Sequence, residues 1–248
     1  MNGGNTSDFK KNLRKEMKKI LREFHENLSE EEKNFLAENL AEKITGLGDY
    51  KKSSLILAYI PDKFEADCTP VIMDALKKGR KVAVPKVDSE ALKAGKSKMD
   101  FYFLEEGKSL EDQLETGAYG ILEPKADLKK LDWSLEARPE TRGVETRPET
   151  RGLAGQKAGE SCPAEGVAEN RNAGWSEGET SPFMLVPGVA FTKDGKRLGH
   201  GKGFYDIYIE KLKESGLKPY LCGVALPCQI MKDLPTDKHD ILMDRVIF

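Results

Sequence analysis

Between residues 186 and 206 the chain reads Val186-Pro-Gly-Val-Ala-Phe-Thr-Lys-Asp-Gly-Lys-Arg-Leu-Gly-His-Gly-Lys-Gly-Phe-Tyr-Asp206, and these residue types at this spacing suit anion chemistry. Gly199, Gly201 and Gly203 let backbone N–H groups come close to an anion. Tyr205, Ile209 and Leu212 recur at helical spacing and predict a helix over Phe204 to Glu214, whose unpaired N-terminal donors and positive dipole end would add to the same site. Lys202 and Arg197 supply full charges, and Asp206 is a hard oxygen donor able to hold a divalent cation against phosphate oxygens. The expected order is strand, turn at Asp194-Gly195, glycine loop, helix. The spacing fits neither the Walker A loop nor the dinucleotide fingerprint. Residue types alone therefore leave two readings open, a phosphate cradle or a surface turn with solvated lysines.

Such a loop needs a scaffold behind it. Ser54 to Tyr59 is a short, nearly all-apolar run of the kind buried in parallel sheets. Thr69-Pro70 reads as an N-cap followed by proline at the first helical position, with Val71, Ile72, Ala75 and Leu76 on the helix and Gly79 closing it. Lys81 to Pro85 is the next strand, which completes a βαβ unit with an expected right-handed crossover. Met99 to Leu104, Pro219 to Leu226 and Asp244 to Phe248 read as further strands. The fold class is α/β, a mainly parallel open sheet flanked by helices in a Rossmann-like three-layer arrangement. Upstream, Ser7-Asp8 can cap a helix carrying Leu13, Met17 and Leu21 on one face, and Ser29-Glu-Glu-Glu32 has capping-box spacing before a second helix. Open α/β sheets bind ligands beyond the carboxyl ends of their strands, which is where the loop Tyr59 to Thr69, with Glu65, is expected.

Charge is balanced, 40 Lys and Arg against 42 Asp and Glu, and gives no support to a nucleic-acid partner. The four cysteines lack any Cys-x-x-Cys pair and the three histidines are dispersed, so neither a zinc site nor a disulfide framework is indicated. No apolar run reaches the roughly 18 residues of a membrane span, and the N-terminus lacks a signal-peptide core, so no membrane partner and a reducing, cytoplasmic location are expected. Residues 1–248 read as a single domain with one interruption. Within 134–181, Arg138-Pro-Glu-Thr-Arg-Gly143 repeats as Arg147-Pro-Glu-Thr-Arg-Gly152, followed by Gly, Ala and Glu without aliphatic periodicity. Such low-complexity sequence buries too little apolar surface to offset its ordering entropy, and a disordered or loosely packed insertion is expected.

Arg197 to Asp206, preceded by Val186-Pro-Gly-Val-Ala-Phe191, closely resembles the signature of the 5-formyltetrahydrofolate cyclo-ligases, also called methenyltetrahydrofolate synthetases. Lys10-Lys-Asn-Leu-Arg14 is similar to that family's N-terminal nucleotide-contacting element, and implies nucleotide contacts for Lys10 and Arg14 with Lys11, Asn12 and Leu13 as lining. Glu65-Ala-Asp-Cys-Thr69 resembles the loop whose Glu binds the pterin ring, with Cys68 as an extra or substituted residue and Ile60 as a wall of the pocket. Gly117 to Pro124 resembles the Gly-Ile-x-Glu-Pro segment near the folate, and Leu234 to Asp240 the segment whose Asp helps bind magnesium.

The resemblance implies an ATP-driven, magnesium-dependent conversion of 5-formyltetrahydrofolate to 5,10-methenyltetrahydrofolate. In it Lys202, Arg197 and Tyr205 act in catalysis, and Arg197, Leu198, Gly199, His200, Gly201, Lys202, Gly203, Phe204 and Tyr205 hold the nucleotide. Ile60, Glu65 and the residues His200 to Phe204 hold the folate, and Asp206 and Asp240 hold Mg2+. The implied partners are small molecules, the folate and ATP, on a monomer. His200 departs from the aromatic residue or arginine of many relatives, and Phe204 from a frequent tyrosine. Two other readings are a non-catalytic folate-binding or interaction protein that works through its insertion, and a sugar-phosphate-binding α/β protein.

Overall fold

The computed structural model describes residues 6–117, 120–133 and 181–248. The repeat-bearing segment expected to be an insertion lies outside these residues except for Ser181. Helices α1 (Thr6–Glu26), α2 (Glu30–Gly46) and α3 (Gly48–Lys52) precede strand β1 (Leu55–Leu57). Helix α4 (Thr69–Lys77) crosses to β2 (Lys81–Val87), and α5 (Ser89–Lys93) leads to β3 (Met99–Phe103). Next come α6 (Leu110–Gln113), β4 (Leu114–Thr116) and β5 (Leu122–Pro124). The last part holds β6 (Phe183–Val186), β7 (Ala190–Thr192), β8 (Arg197–Leu198), α7 (Phe204–Glu214), β9 (Tyr220–Val224), β10 (Ile230–Met231) and β11 (Arg245–Ile247).

Among the described residues the main sheet runs β11-β9-β6-β1-β2-β3, parallel except where β3 lies antiparallel to β2. The expected mainly parallel sheet is present, and side chains on its central strands divide between two faces. Ile56, Phe183 and Leu185 join Ile44 of α2 and Ile72 and Ala75 of α4 in one cluster. Leu55, Leu57, Met184 and Val186 join Ile209 and Leu212 of α7 in another. Because both faces are covered, these strands read as continuous apolar runs rather than alternating ones. Each of the Leu, Ile, Val, Phe and Met side chains among these, fully buried, contributes about 1.5–3 kcal/mol.

Of the expected helix starts, the one at α2 held, whereas α1 begins at Thr6, so that Ser7 and Asp8 lie in its first turn rather than capping it. Ser29 Oγ accepts the Glu32 N–H at 3.2 Å and Glu32 Oε2 accepts the Ser29 N–H at 2.8 Å, the reciprocal capping box expected at the start of α2. At α4 the cap differs from expectation: Cys68, not Thr69, takes the N-cap position, because Asp67 Oδ1 accepts the Thr69 N–H at 2.8 Å and draws Thr69 into the first turn. Cys68 is fully buried, and its thiol donates to the Tyr59 carbonyl at 3.2 Å.

The strand before the glycine loop is also more elaborate than one run. The chain leaves β6 at Val186, breaks at Pro187-Gly188, and forms the hairpin β7–β8 around Asp194-Gly195, with β10 beside β7 in a separate small sheet. Gly195 has φ +94, and a Cβ there would lie 2.4 Å from the Met243 carbonyl oxygen, so the turn requires glycine. Leu13 and Met17 of α1 pack on Val189, Ala190 and Leu198 of this hairpin and on Leu234. That third cluster fixes α1 over the glycine loop.

Candidate active site

A cavity of about 1080 Å³ opens beyond the carboxyl ends of β1, β2 and β6, lined there by Ile60, Val87 and Pro187. This is the location expected for ligands of an open α/β sheet. The glycine loop 199–203 forms one wall, the loop carrying Glu65 another, and α1 and the tail near Asp240 a third.

The glycine loop owes its course to residues without side chains and to one arginine. Gly201 (φ +93) and Gly203 (φ +70) take the left-handed backbone that favours glycine, and Gly203 sits at the N-cap of α7. A Cβ on Gly201 would press to 3.3 Å from the Arg14 guanidinium. Arg14 Nε donates to the Gly199 carbonyl at 2.8 Å, which joins α1 to the loop. Lys202 is exposed at the cavity rim and, among the described residues, makes no ion pair. Its charge is available to a ligand.

Arg197 is turned inward instead. Its side chain is 5% exposed; Nη1 donates to the Pro187 carbonyl at 3.1 Å, and Nη2 reaches both oxygens of Asp206 at 2.7 and 2.8 Å. The guanidinium also lies 5.9 Å from the Tyr205 ring centroid. Arg197 therefore orients Asp206 and the aromatic beside it. Burial, then the nearby negative charge of Glu65, hold the Tyr205 hydroxyl well above the ordinary phenol range, so it stays a proton donor.

Opposite the glycine loop, Glu65 Oε1 lies 3.2 Å from His200 Nε2, and Oε2 accepts the Asp62 N–H at 3.0 Å. The loop beneath is tied down by Tyr59, whose hydroxyl donates to the Ala66 carbonyl at 2.6 Å. On the third wall, Lys10 Nζ donates to Asp237 Oδ2 at 2.7 Å and Asp240 Oδ2 at 2.5 Å. Burial is the largest single influence on this ammonium and lowers its pKa. The hydrogen bonds and charges of the two carboxylates outweigh it and raise the pKa overall.

Of the residues singled out in sequence, the cavity brings together Lys10, Arg14, Ile60, Glu65, the loop from Arg197 to Asp206, and Asp240. Lys11 and Asn12 are exposed on other faces of α1, and Leu13 is buried against the hairpin. The same face of α1 also presents Lys18, whose i+4 spacing from Arg14 was the available signal. Ile121 and Asp237 also line the cavity and lie in the two segments, Gly117 to Pro124 and Leu234 to Asp240, that the resemblance marks, although neither is a site residue there. Pro85, Val87 and Met99 come from strands that no motif marks.

Among the described residues no three or more His, Cys, Asp or Glu side chains gather as a metal cage. Asp206 and Asp240 both line the cavity, each already paired with a cation of the chain. This donor set fits a hard divalent ion that arrives with phosphate oxygens and keeps waters, rather than a resident caged metal.

Fold and site together define a three-layer α/β protein with a glycine-rich loop lining a cavity at the carboxyl edge of its sheet. The chain belongs to the 5-formyltetrahydrofolate cyclo-ligase family, whose model matches residues 6–137 and 153–248. The match passes over residues 138–152, which span both copies of the Arg-Pro-Glu-Thr-Arg-Gly repeat. A Mus musculus protein named 5-formyltetrahydrofolate cyclo-ligase is 26% identical over 240 residues, 96% of this chain and 93% of its own. A Saccharomyces cerevisiae protein of the same name is 42% identical over 74 residues, 29% of this chain and 35% of its own. The NMR structure of Aquifex aeolicus 5,10-methenyltetrahydrofolate synthetase aligns with TM-score 0.59 and 27% identity over 95% of this chain and 89% of that one. A synthetase from Mycoplasma pneumoniae, 20% identical with TM-score 0.56 over 96% of this chain and 97% of its own, shares the fold.

Proposed function

We propose that this chain catalyses the ATP- and magnesium-dependent cyclisation of 5-formyltetrahydrofolate to 5,10-methenyltetrahydrofolate, with release of ADP and phosphate. Family membership supports the reaction class. The observation that carries the reading is the placing of Lys202, exposed and without an ion pair on the glycine loop, in the same cavity as Glu65.

A formamide carbonyl is a poor electrophile and its oxygen a poor leaving group. Transfer of the ATP γ-phosphoryl group to the formyl oxygen makes an iminium phosphate and ADP, the second folate nitrogen attacks its carbon and gives up its proton to solvent, and the C–O bond breaks to release phosphate. The protein's part in such chemistry is positioning and neutralisation of charge. Lys202 and the backbone donors of Gly199 to Gly203 stabilise the transferring group, while Lys10, Arg14 and Lys18 meet the nucleotide phosphates. Glu65 and Ile60 receive the pterin, with Tyr205 and Phe204 beside it. Arg197 orients Asp206. Held by Asp206, Asp240 and phosphate oxygens, magnesium would supply further neutralisation of phosphate charge.

All these residues lie outside 134–181, which suits a single domain whose insertion takes no part in the chemistry; a monomer is part of this reading. Cys68, Cys222 and Cys228 are free thiols, which suits a reducing compartment such as the cytoplasm. Among the described residues no helix is long and apolar enough to cross a membrane. The test is absorbance of the methenyl product on mixing protein, 5-formyltetrahydrofolate, magnesium and ATP. An ATP-dependent rise is expected. Folate binding without any rise would favour the non-catalytic reading.

A further inference from the structure

The two carboxylates assigned to magnesium are each neutralised by a cation of this chain. Arg197 takes both oxygens of Asp206. Lys10 takes Asp240 at 2.5 Å and Asp237 at 2.7 Å with a side chain only 7% exposed. Asp240 Oδ2 also accepts the Asp237 N–H at 2.7 Å, so the tail is wrapped around the ammonium. The position is built, since Leu13 and Met17 on the same helix are locked into the hairpin cluster.

A divalent ion approaching Asp240 on its own would meet an ammonium already bound to that carboxylate. Like-charge repulsion is large at such separations, more so away from bulk water. A nucleotide alters the balance, because Lys10 shares its cavity with Arg14 and Lys202, and phosphates bound there offer Lys10 a second anion. Once Lys10 turns to phosphate, Asp240 is free to hold a metal.

We propose that Lys10 is a switch residue: without nucleotide its ammonium occupies the cation position between Asp237 and Asp240, and nucleotide phosphates draw it away so that metal binds with the nucleotide and not before it. The inference rests on the assignment of Asp240 as a metal ligand in the proposed function. Asp237 is then a positioning residue, which parks the ammonium. Linkage requires the coupling to be reciprocal, metal strengthening nucleotide binding by the factor that nucleotide strengthens metal binding, typically about 5- to 150-fold.

The experiment is Mn2+ binding to the full chain followed by electron paramagnetic resonance, with and without a non-hydrolysable ATP analogue, after subtraction of an analogue-only blank. Wild type should bind Mn2+ at least about 5-fold more tightly with the analogue. Lys10→Met should bind Mn2+ alone at least about 5-fold more tightly than wild type, and Lys10→Arg should keep the wild-type pattern. Adding Asp240→Asn to Lys10→Met should abolish the gain. Equal Mn2+ affinity of wild type with and without analogue overturns the switch, whatever the variants do. If Lys10→Met, folded by circular dichroism, gains no affinity while analogue-coupled Mn2+ binding still needs Asp240, the switch is wrong and the ligand assignment stands. If Asp240→Asn leaves Mn2+ binding unchanged in the presence of analogue, the assignment falls and the switch with it.

Discussion

His200 Nε2 lies 3.2 Å from Glu65 Oε1, a contact that joins the glycine loop to the loop after β1. The carboxylate is 15% exposed and committed to His200 and to the Asp62 N–H, so a pterin received there, as proposed, would have to displace or share one of these bonds. Glu65→Gln keeps the volume and removes the charge. Hydrogen bonds to a charged group contribute about 1.5–3 kcal/mol, so KM for 5-formyltetrahydrofolate should rise about 10- to 100-fold while KM for ATP stays within about twofold. Equal loss on both substrates would place Glu65 outside the folate subsite.

On the proposed function, Lys202 should contribute to turnover rather than to folding. It is exposed and unpaired among the described residues, so Lys202→Ala should leave stability within about 0.5 kcal/mol. If it stabilises the transferring phosphoryl group, kcat should fall about 10²- to 10³-fold, by analogy with removal of one oxyanion donor. Steady-state kinetics and thermal melting on the same preparation separate the two effects. A change in KM for ATP at unchanged kcat would limit Lys202 to ground-state binding.

The Arg197–Asp206 pair should show the opposite balance. Arg197 is 5% exposed and Asp206 31%, so removing the guanidinium strands a partly buried carboxylate. Arg197→Met should cost about 3 kcal/mol, the low end for breaking a buried pair, because solvent reaches Asp206. Urea unfolding reads this directly. An unchanged midpoint would show that the pair does not support the fold.

Alkaline pH should weaken the protein in a definite window. Burial pushes the Cys222 thiol up to about 12 and Cys228 to about 11, and burial with the charge of Asp67 holds Cys68 well above the ordinary thiol range. Burial raises Tyr59 and Tyr205 as well. The unfolded chain loses these protons at ordinary values, about 8.5 for thiols and 10 for phenols, whereas the native state keeps them. The unfolded state then binds fewer protons, so stability falls as pH rises. Melting temperature should be level up to about pH 8 and decline from about 8.5 to 11. Replacing Cys68 and Cys222 by Ala should flatten the part of the decline below pH 10; an unchanged slope would assign the loss to other groups.

The legible parts of this molecule are those whose causes are local. The capping box at Ser29 and Glu32, the apolar run of β1, and the glycines at positive φ each depend on neighbours within a few residues. The α1 face shows the limit: the motif Lys10 to Arg14 was contiguous in sequence, but helical geometry selects Lys10, Arg14 and Lys18 and turns Lys11 and Asn12 away. Val186 to Phe191 read as one run because nothing local shows that β10, some 40 residues on, will pair with β7. The ties of Lys10 to Asp237 and Asp240 span 227 and 230 residues and left no trace in spacing. Likewise the inward turn of Arg197 toward Asp206 depends on burial, which composition cannot report.

The central claim is that this cavity moves a phosphoryl group from ATP to the formyl oxygen. The direct test is a single-turnover reaction with 5-formyltetrahydrofolate carrying 18O in the formyl group, followed by mass analysis of the released phosphate. The account predicts that the label appears in phosphate in step with methenyl product. Unlabelled phosphate alongside methenyl product would mean that the formyl oxygen leaves without being phosphorylated, and would contradict it.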